Sequence, residues 1–136
     1  MTRKRFWVLL AVLILAGSGL GLCVGVYAPV YWQACAEARK ASRFEALAAL
    51  RAVLQRYAWE HGQYPDRFED AVEEVDVMPP LRLDDLEYDA SGMSYAHEGN
   101  FVLFHEKTAK RYGSVVGWFV MDEDSWGFNA GQPPQD

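Results

Sequence analysis

Two His-Glu pairs, His97-Glu98 and His105-Glu106, stand on either side of Gly99-Asn100 and offer imidazoles and carboxylates of the kind used by metal centres and proton-transfer catalysts. Their spacing argues against both uses. With Gly99-Asn100 as a two-residue hairpin turn, Glu98 pairs with Phe101 and His97 with Val102, and alternation along the strands sends His97 and His105 to opposite faces. They read as ordinary polar strand residues. A second group, Asp122, Glu123, Asp124 and Asn129, places oxygen donors around Gly127, and hard cations such as calcium take six or more oxygens. It lacks the EF-hand spacing and reads first as an acidic turn, with calcium as the alternative. The chain has no phosphate-cradling glycine loop and no G-x-S-x-G motif, and Ser42, Ser91, Ser94, Ser114 and Ser125 have no visible base partner. No catalytic residues are assigned, and no cofactor is expected beyond the calcium alternative.

The elements that must position these groups begin with an apolar run from Phe6 to Trp32 that contains no Asp, Glu, Lys, Arg or His. At ~1.5 Å per residue, a helix from Phe6 to Ala28 is roughly 35 Å long, enough to cross a hydrocarbon core of about 30 Å with some tilt. Arg3, Lys4 and Arg5 precede the run and Glu37 is the first charge after it, so the positive-inside rule puts residues 1–5 in the cytoplasm and the remainder outside. Trp7 at one end and Tyr27, Tyr31 and Trp32 at the other suit the two interfacial belts. Pro29 marks the exit of the span or a kink in it. The run continues past ordinary signal-peptide length, which favours an uncleaved anchor, and Leu22 before Cys23 is a poor lipobox. Gly17, Gly21 and Gly25 recur every fourth residue and line one face, where a partner helix or lipid can approach closely.

Charge narrows the partners. The whole chain has a formal charge of -6, but all 19 acidic residues follow the apolar run while three of the 13 basic ones precede it, leaving the rest with a net charge of -9. Such a surface repels phosphate backbones and excludes nucleic acid as an expected partner. Cys23 and Cys35 lie roughly 18 Å apart along a continuous helix and cannot bond to each other.

From Gln33 to His61 the composition is rich in Ala, Leu, Arg, Glu and Gln without Gly or Pro, which predicts a long helix. Leu47, Leu50, Leu54, Tyr57 and His61 form its packing stripe, widened by Phe44 and Ala58, while Arg39, Lys40, Arg43, Arg51 and Arg56 are expected on the solvated side. Gly62 stops the helix as a left-handed cap, Tyr64-Pro65 is extended, and Asp66 with Glu69 predicts a capping box. A short helix follows, with Phe68, Ala71, Val72 and Val75 inward, and Pro79-Pro80 ends it. Strands are then predicted at 86–89, 93–98, 101–106 and 115–122, with a polar loop at 107–114 and a brief last segment after the turn at 123–127. The fold class is α+β: a transmembrane helix (6–32) continuing into a long amphipathic helix packed on a small antiparallel sheet (33–130), with a loose tail at 131–136.

Ala46 to Pro65, "ALAALRAVLQRYAWEHGQYP", followed by "DRFEDAV" and the later stretch from Met93 to Asn129, resembles the type IV pilin and pseudopilin group, in particular the major pseudopilin of type II secretion systems. Gly62, Tyr64 and Pro65 carry the most specific part. The resemblance implies a pilin-like α+β fold and envelope or pilin-like protein partners beside the lipid bilayer; the face of Gly17, Gly21 and Gly25 is what offers a homo-oligomer through the anchor helix. The resemblance also adds to the calcium alternative at Asp122, Glu123, Asp124 and Asn129, because related pseudopilins hold calcium in a C-terminal loop. The sequence departs from the family where precursors carry a Gly before the processed Phe and a Glu at the fifth mature position. Here Arg5 precedes Phe6 and Leu10 takes the fifth place, so no prepilin peptidase site is present. The expected role is a non-enzymatic, membrane-anchored pseudopilin-like interaction protein of a bacterial envelope or secretion assembly. It would be single-pass in the inner membrane with a periplasmic domain; a calcium- or ligand-binding extracytoplasmic sensor is the alternative.

Overall fold

A computed structural model describes residues 3–73, 77–79 and 81–133. One helix, α1 (Arg3–His61), opens the chain, and five strands follow: β1 (Leu86–Tyr88), β2 (Val102–Glu106), β3 (Lys110–Tyr112), β4 (Val115–Asp122) and β5 (Trp126–Ala130). The architecture is α+β. The chain divides into two compact units, Met1–Ala36 and Glu37–Asp136.

The first unit is helical and carries Pro29 inside α1, so the proline does not end the helix. Its large apolar side chains have no protein around them: Leu13 is 68 % exposed, Leu15 72 % and Leu20 69 %. Length and apolarity suffice for a membrane crossing.

In the second unit the helix buries Leu47, Leu50, Leu54 and Ala58, the predicted stripe, with Phe44 half-buried beside it. At its end the stripe shifts to Ala58. Tyr57 is only half-buried, and His61 is exposed with its ring stacked on Tyr57 at 4.0 Å. Gly62 stops the helix at φ 78°, donating its N–H to Ala58 O at 2.8 Å, which is the left-handed cap expected of it.

Where the short second helix is predicted, the described residues hold a 3-10 turn, Phe68–Asp70. Its N-terminal bond runs from the Arg67 N–H to the Asp70 carboxylate at 3.1 Å, one residue later than the predicted Asp66–Glu69 pair. Phe68 and Val72 are buried as expected; Val75 and Pro80 lie outside the described residues. Another 3-10 turn, Leu83–Asp85, leads into β1.

All strand pairs are antiparallel: β1 with β2, β2 and β3 with β4, and β5 with β4. Val120 pairs with both His105 and Gly127, and Gly117 with both Lys110 and Ala130. A residue has two edges, so β2 and β3 lie end to end along one edge of β4 and β5 covers the other. The predicted strand at 93–98 does not form. That segment makes only an isolated bridge, Ser94 to Gln63, and β1 takes the place beside β2 that a Gly99-Asn100 hairpin would have given it. Turn chemistry at Gly99-Asn100 was outweighed by burial, because β1 carries Leu86 into the core whereas 94–98 is exposed. The expected loop at 107–114 contains β3, and the brief last segment is the full strand β5.

Phe104, Phe119, Met121 and Tyr112 project from the sheet onto the helix stripe, and Tyr64 and Phe68 close the core beside them. Gly117 is required by contact. A Cβ there would stand 2.5 Å from Asn129 O and 2.8 Å from the Phe128 ring, which packs over the bare backbone of β4. Gly117→Ala is expected to destabilise the fold by about 1–3 kcal/mol through overpacking, read as a lower melting temperature of the full chain in detergent; an unchanged melt would contradict this packing.

Candidate functional site

The domain is locked at a buried ion pair. Arg43, which the helical pattern put on the solvated face, is buried, and its Nε donates to Glu106 Oε1 on β2. Arg43 lies four residues before Leu47 and so falls on the same stripe. Glu106 is 1 % exposed, and its other oxygen accepts the Phe119 N–H of β4 at 3.1 Å. That N–H points at the gap between β2 and β3, where no strand residue is available to take it. Asp85 Oδ2 stands 3.9 Å from Arg43 Nη2 and 3.6 Å from Lys110 Nζ, extending the network to the loop before β1 and to β3. Burial and the Glu106 carboxylate push the Tyr112 phenol up to about 12, with Arg43 opposing them. One carboxylate thus joins α1, β2 and β4. Both of its oxygens are engaged within the domain.

Each candidate chemical group falls into place around this lock. His97 sits in a turn, donating its N–H to Ser94 O at 3.0 Å, with its ring edge-on to Phe101. His105 is on β2 opposite Glu87, its Nδ1 2.6 Å from Asp89 Oδ2 and its Nε2 3.9 Å from Glu87. Both ring nitrogens therefore face carboxylates, whereas nucleophilic catalysis needs one of them on a hydroxyl or thiol. Glu98 is exposed and Glu106 is locked, so the two His-Glu pairs do not form one cluster.

Asp122, Glu123 and Asp124 occupy the β4–β5 turn. Asp122 Oδ1 accepts the Ser125 N–H at 2.9 Å and its hydroxyl at 2.7 Å. The turn is fastened to the helix by Arg51, which donates to Ser125 O at 3.1 Å, and by Gln55, which donates to Glu123 O. Asn129 pairs with Trp118, three residues along β5 from Trp126, so roughly 10 Å of strand separates it from the turn. The structure does not bring it together with the three carboxylates. Among the described residues no three His, Cys, Asp or Glu side chains converge as metal ligands do.

Gly62, Tyr64 and Pro65 form a structural knot. Tyr64 donates its N–H to Met93 O at 2.8 Å, Gly62 O accepts the Tyr95 N–H at 3.0 Å, and the Tyr64 ring meets Phe101 edge-on at 5.4 Å. Burial, with Glu123 and Asp124 nearby, pushes the Tyr64 phenol up to about 12. Tyr88 is raised further by burial. Gly17, Gly21 and Gly25 are exposed, and a Cβ on any of them would meet nothing within 4 Å. Among the described residues, the first unit holds the longest run of exposed apolar side chains, its glycine face included.

No known family, curated protein or solved structure matches this chain.

Removing one member of the lock tests its weight. Arg43→Met leaves Glu106 buried without its cation and is expected to cost about 3–5 kcal/mol. Adding Glu106→Gln removes the orphan charge and keeps an acceptor for Phe119, so the double variant should regain most of that loss. Denaturant titration of both in detergent checks this; equal losses would contradict it.

Proposed function

We propose that this protein is a membrane-anchored, non-enzymatic interaction protein of pseudopilin-like type, working in a bacterial envelope or secretion assembly. The observation that carries the reading is the division of labour along the chain. The first unit leaves its Leu, Val and aromatic side chains bare, whereas the second buries a full core against a five-stranded antiparallel sheet. A helix uncovered on every side needs lipid or other helices around it. The pilin-like layout of helix and antiparallel sheet and the "HGQYP" corner support the family reading.

In this reading residues 1–5 are cytoplasmic, 6–32 span the inner membrane once and the acidic domain is periplasmic, in keeping with Arg3, Lys4 and Arg5 before the span. The glycine face at Gly17, Gly21 and Gly25 lets a second helix approach. With no Gly before Phe6 and Leu10 in place of the registering Glu, the anchor is permanent and the chain acts beside a filament system, as an accessory of it.

Affinity capture of the full chain from detergent-solubilised membranes should bring down a discrete set of envelope proteins, and Gly21→Ile should reduce that set several-fold while leaving the domain's melt unchanged. Capture that is identical with and without Gly21→Ile would remove the anchor face from the account. A chain that recovers no partner and instead gains melting temperature on adding calcium alone would overturn the proposal in favour of a sensor.

A further inference from the structure

Contacts along α1 show what stands at the end of the second unit where the chain enters it. β5 runs back along the helix: the Trp126 ring meets Phe44 at 4.3 Å, and Lys40 Nζ stands 4.8 Å from the centre of the Phe128 ring. Gly131, just past β5, donates its N–H to Val116 O at 3.0 Å, and β3 pairs with the first residues of β4. The hairpin turn at Gly113-Ser114, the end of β5 and the helix from Glu37 to Lys40 therefore share one end of the unit. Glu37 is the fifth residue after Trp32, where the apolar run stops, and five residues reach at most ~18 Å even when fully extended.

That end differs in charge from the rest of the domain. Residues 37–43, 110–117 and 126–131 hold five basic residues, Arg39, Lys40, Arg43, Lys110 and Arg111, against one acid, Glu37; the remainder of 33–136 holds five basic residues and 18 acids. Arg43 is paired with Glu106, and Lys110 with Asp85. Arg39 and Arg111 are exposed and Lys40 is half-buried. Arg111 donates Nε to Gly113 O at 3.0 Å, which holds its guanidinium beside the turn. Next to it Val115 and Val116 are each 44 % exposed, and strand alternation sets them on opposite faces of the hairpin.

Taking residues 6–32 as the membrane anchor, as proposed above, we propose that this end rests on an anionic phospholipid surface, with Val115 and Val116 in the headgroup layer and Arg39, Lys40 and Arg111 on lipid phosphates. Two observations single out lipid as the occupant. The link from Trp32 keeps this end of the domain within a few residues' reach of the bilayer. Charge then decides the orientation: a body acidic elsewhere is turned by a negative surface until its basic end faces that surface. Basic side chains around exposed apolar ones are also the composition that interfacial contacts use, the apolar groups entering the headgroup boundary and the cations meeting phosphate. The acidic turn at Asp122, Glu123 and Asp124 and the exposed segment around Glu98 then face away from the lipid.

Quenching by lipid tests the contact. In full-length protein carrying C23S and C35S, a fluorophore at V115C is compared with one at E98C, in the exposed segment that bridges to Gln63 past the far end of the helix. Chains are reconstituted in vesicles of two parts phosphatidylcholine to one part phosphatidylglycerol, or of phosphatidylcholine alone. Both leaflets carry headgroup spin-labelled lipid, so the direction of insertion does not matter. Quenching should be several-fold stronger at V115C than at E98C. It should fall in phosphatidylcholine alone, in raised salt and with Arg111→Gln, at an unchanged melting temperature. Equal quenching at the two sites, or quenching indifferent to phosphatidylglycerol and salt, in chains that float with the vesicles would overturn the proposal and leave the anchor standing. Chains that do not float would remove both. Protection of V115C from a water-soluble alkylating reagent in native membranes but not in these vesicles would assign this end to a protein partner, and overturns the proposal equally.

Discussion

Water sets the constraint that the rest of the molecule obeys. A Leu or Val side chain withdrawn from water contributes about 1.5–3 kcal/mol, and the first unit presents a long series of them with no protein surface to receive them. The second unit satisfies the same requirement internally, by laying Leu47, Leu50 and Leu54 on Phe104, Phe119 and Met121. One chain thus carries a domain core and a segment long and apolar enough to cross a membrane.

Inside the domain, Glu106 is committed to Arg43 and to the Phe119 N–H, Asp122 to Ser125, and His105 to Asp89 and Glu87. A buried ion pair is weak as a source of net stability, since desolvation consumes much of the attraction. What it supplies here is position: a bond from α1 to β2 at the point where the outer strand of β4 is interrupted. A purely apolar contact would leave the Phe119 N–H without an acceptor, and a buried unsatisfied donor costs about 1–3 kcal/mol.

Much of this was legible in the residues. Apolar length, the leucine stripe, the Gly62 cap and the β4 strand follow from composition and period, and each is present. Asn129 was grouped with Asp122 to Asp124 through closeness in sequence, but the β4–β5 ladder carries it along a strand and away from the turn. Gly99-Asn100 promised a hairpin, yet the partner of β2 is β1, because register follows the buried face rather than the most turn-like dipeptide. Arg43 and Glu106 were hidden for a different reason. Each sits on the inward phase of its own element, but side-chain type argued for solvent, and only the pairing across the core reconciles type with position.

The most direct measurement is the fate of the full chain in fractionated cells, with its intact mass taken after extraction. The account predicts that it stays in the membrane pellet through high salt and alkaline carbonate, leaves it only with detergent, and has a mass that includes Phe6 to Trp32. A freely soluble polypeptide that starts beyond Gly17 would contradict it.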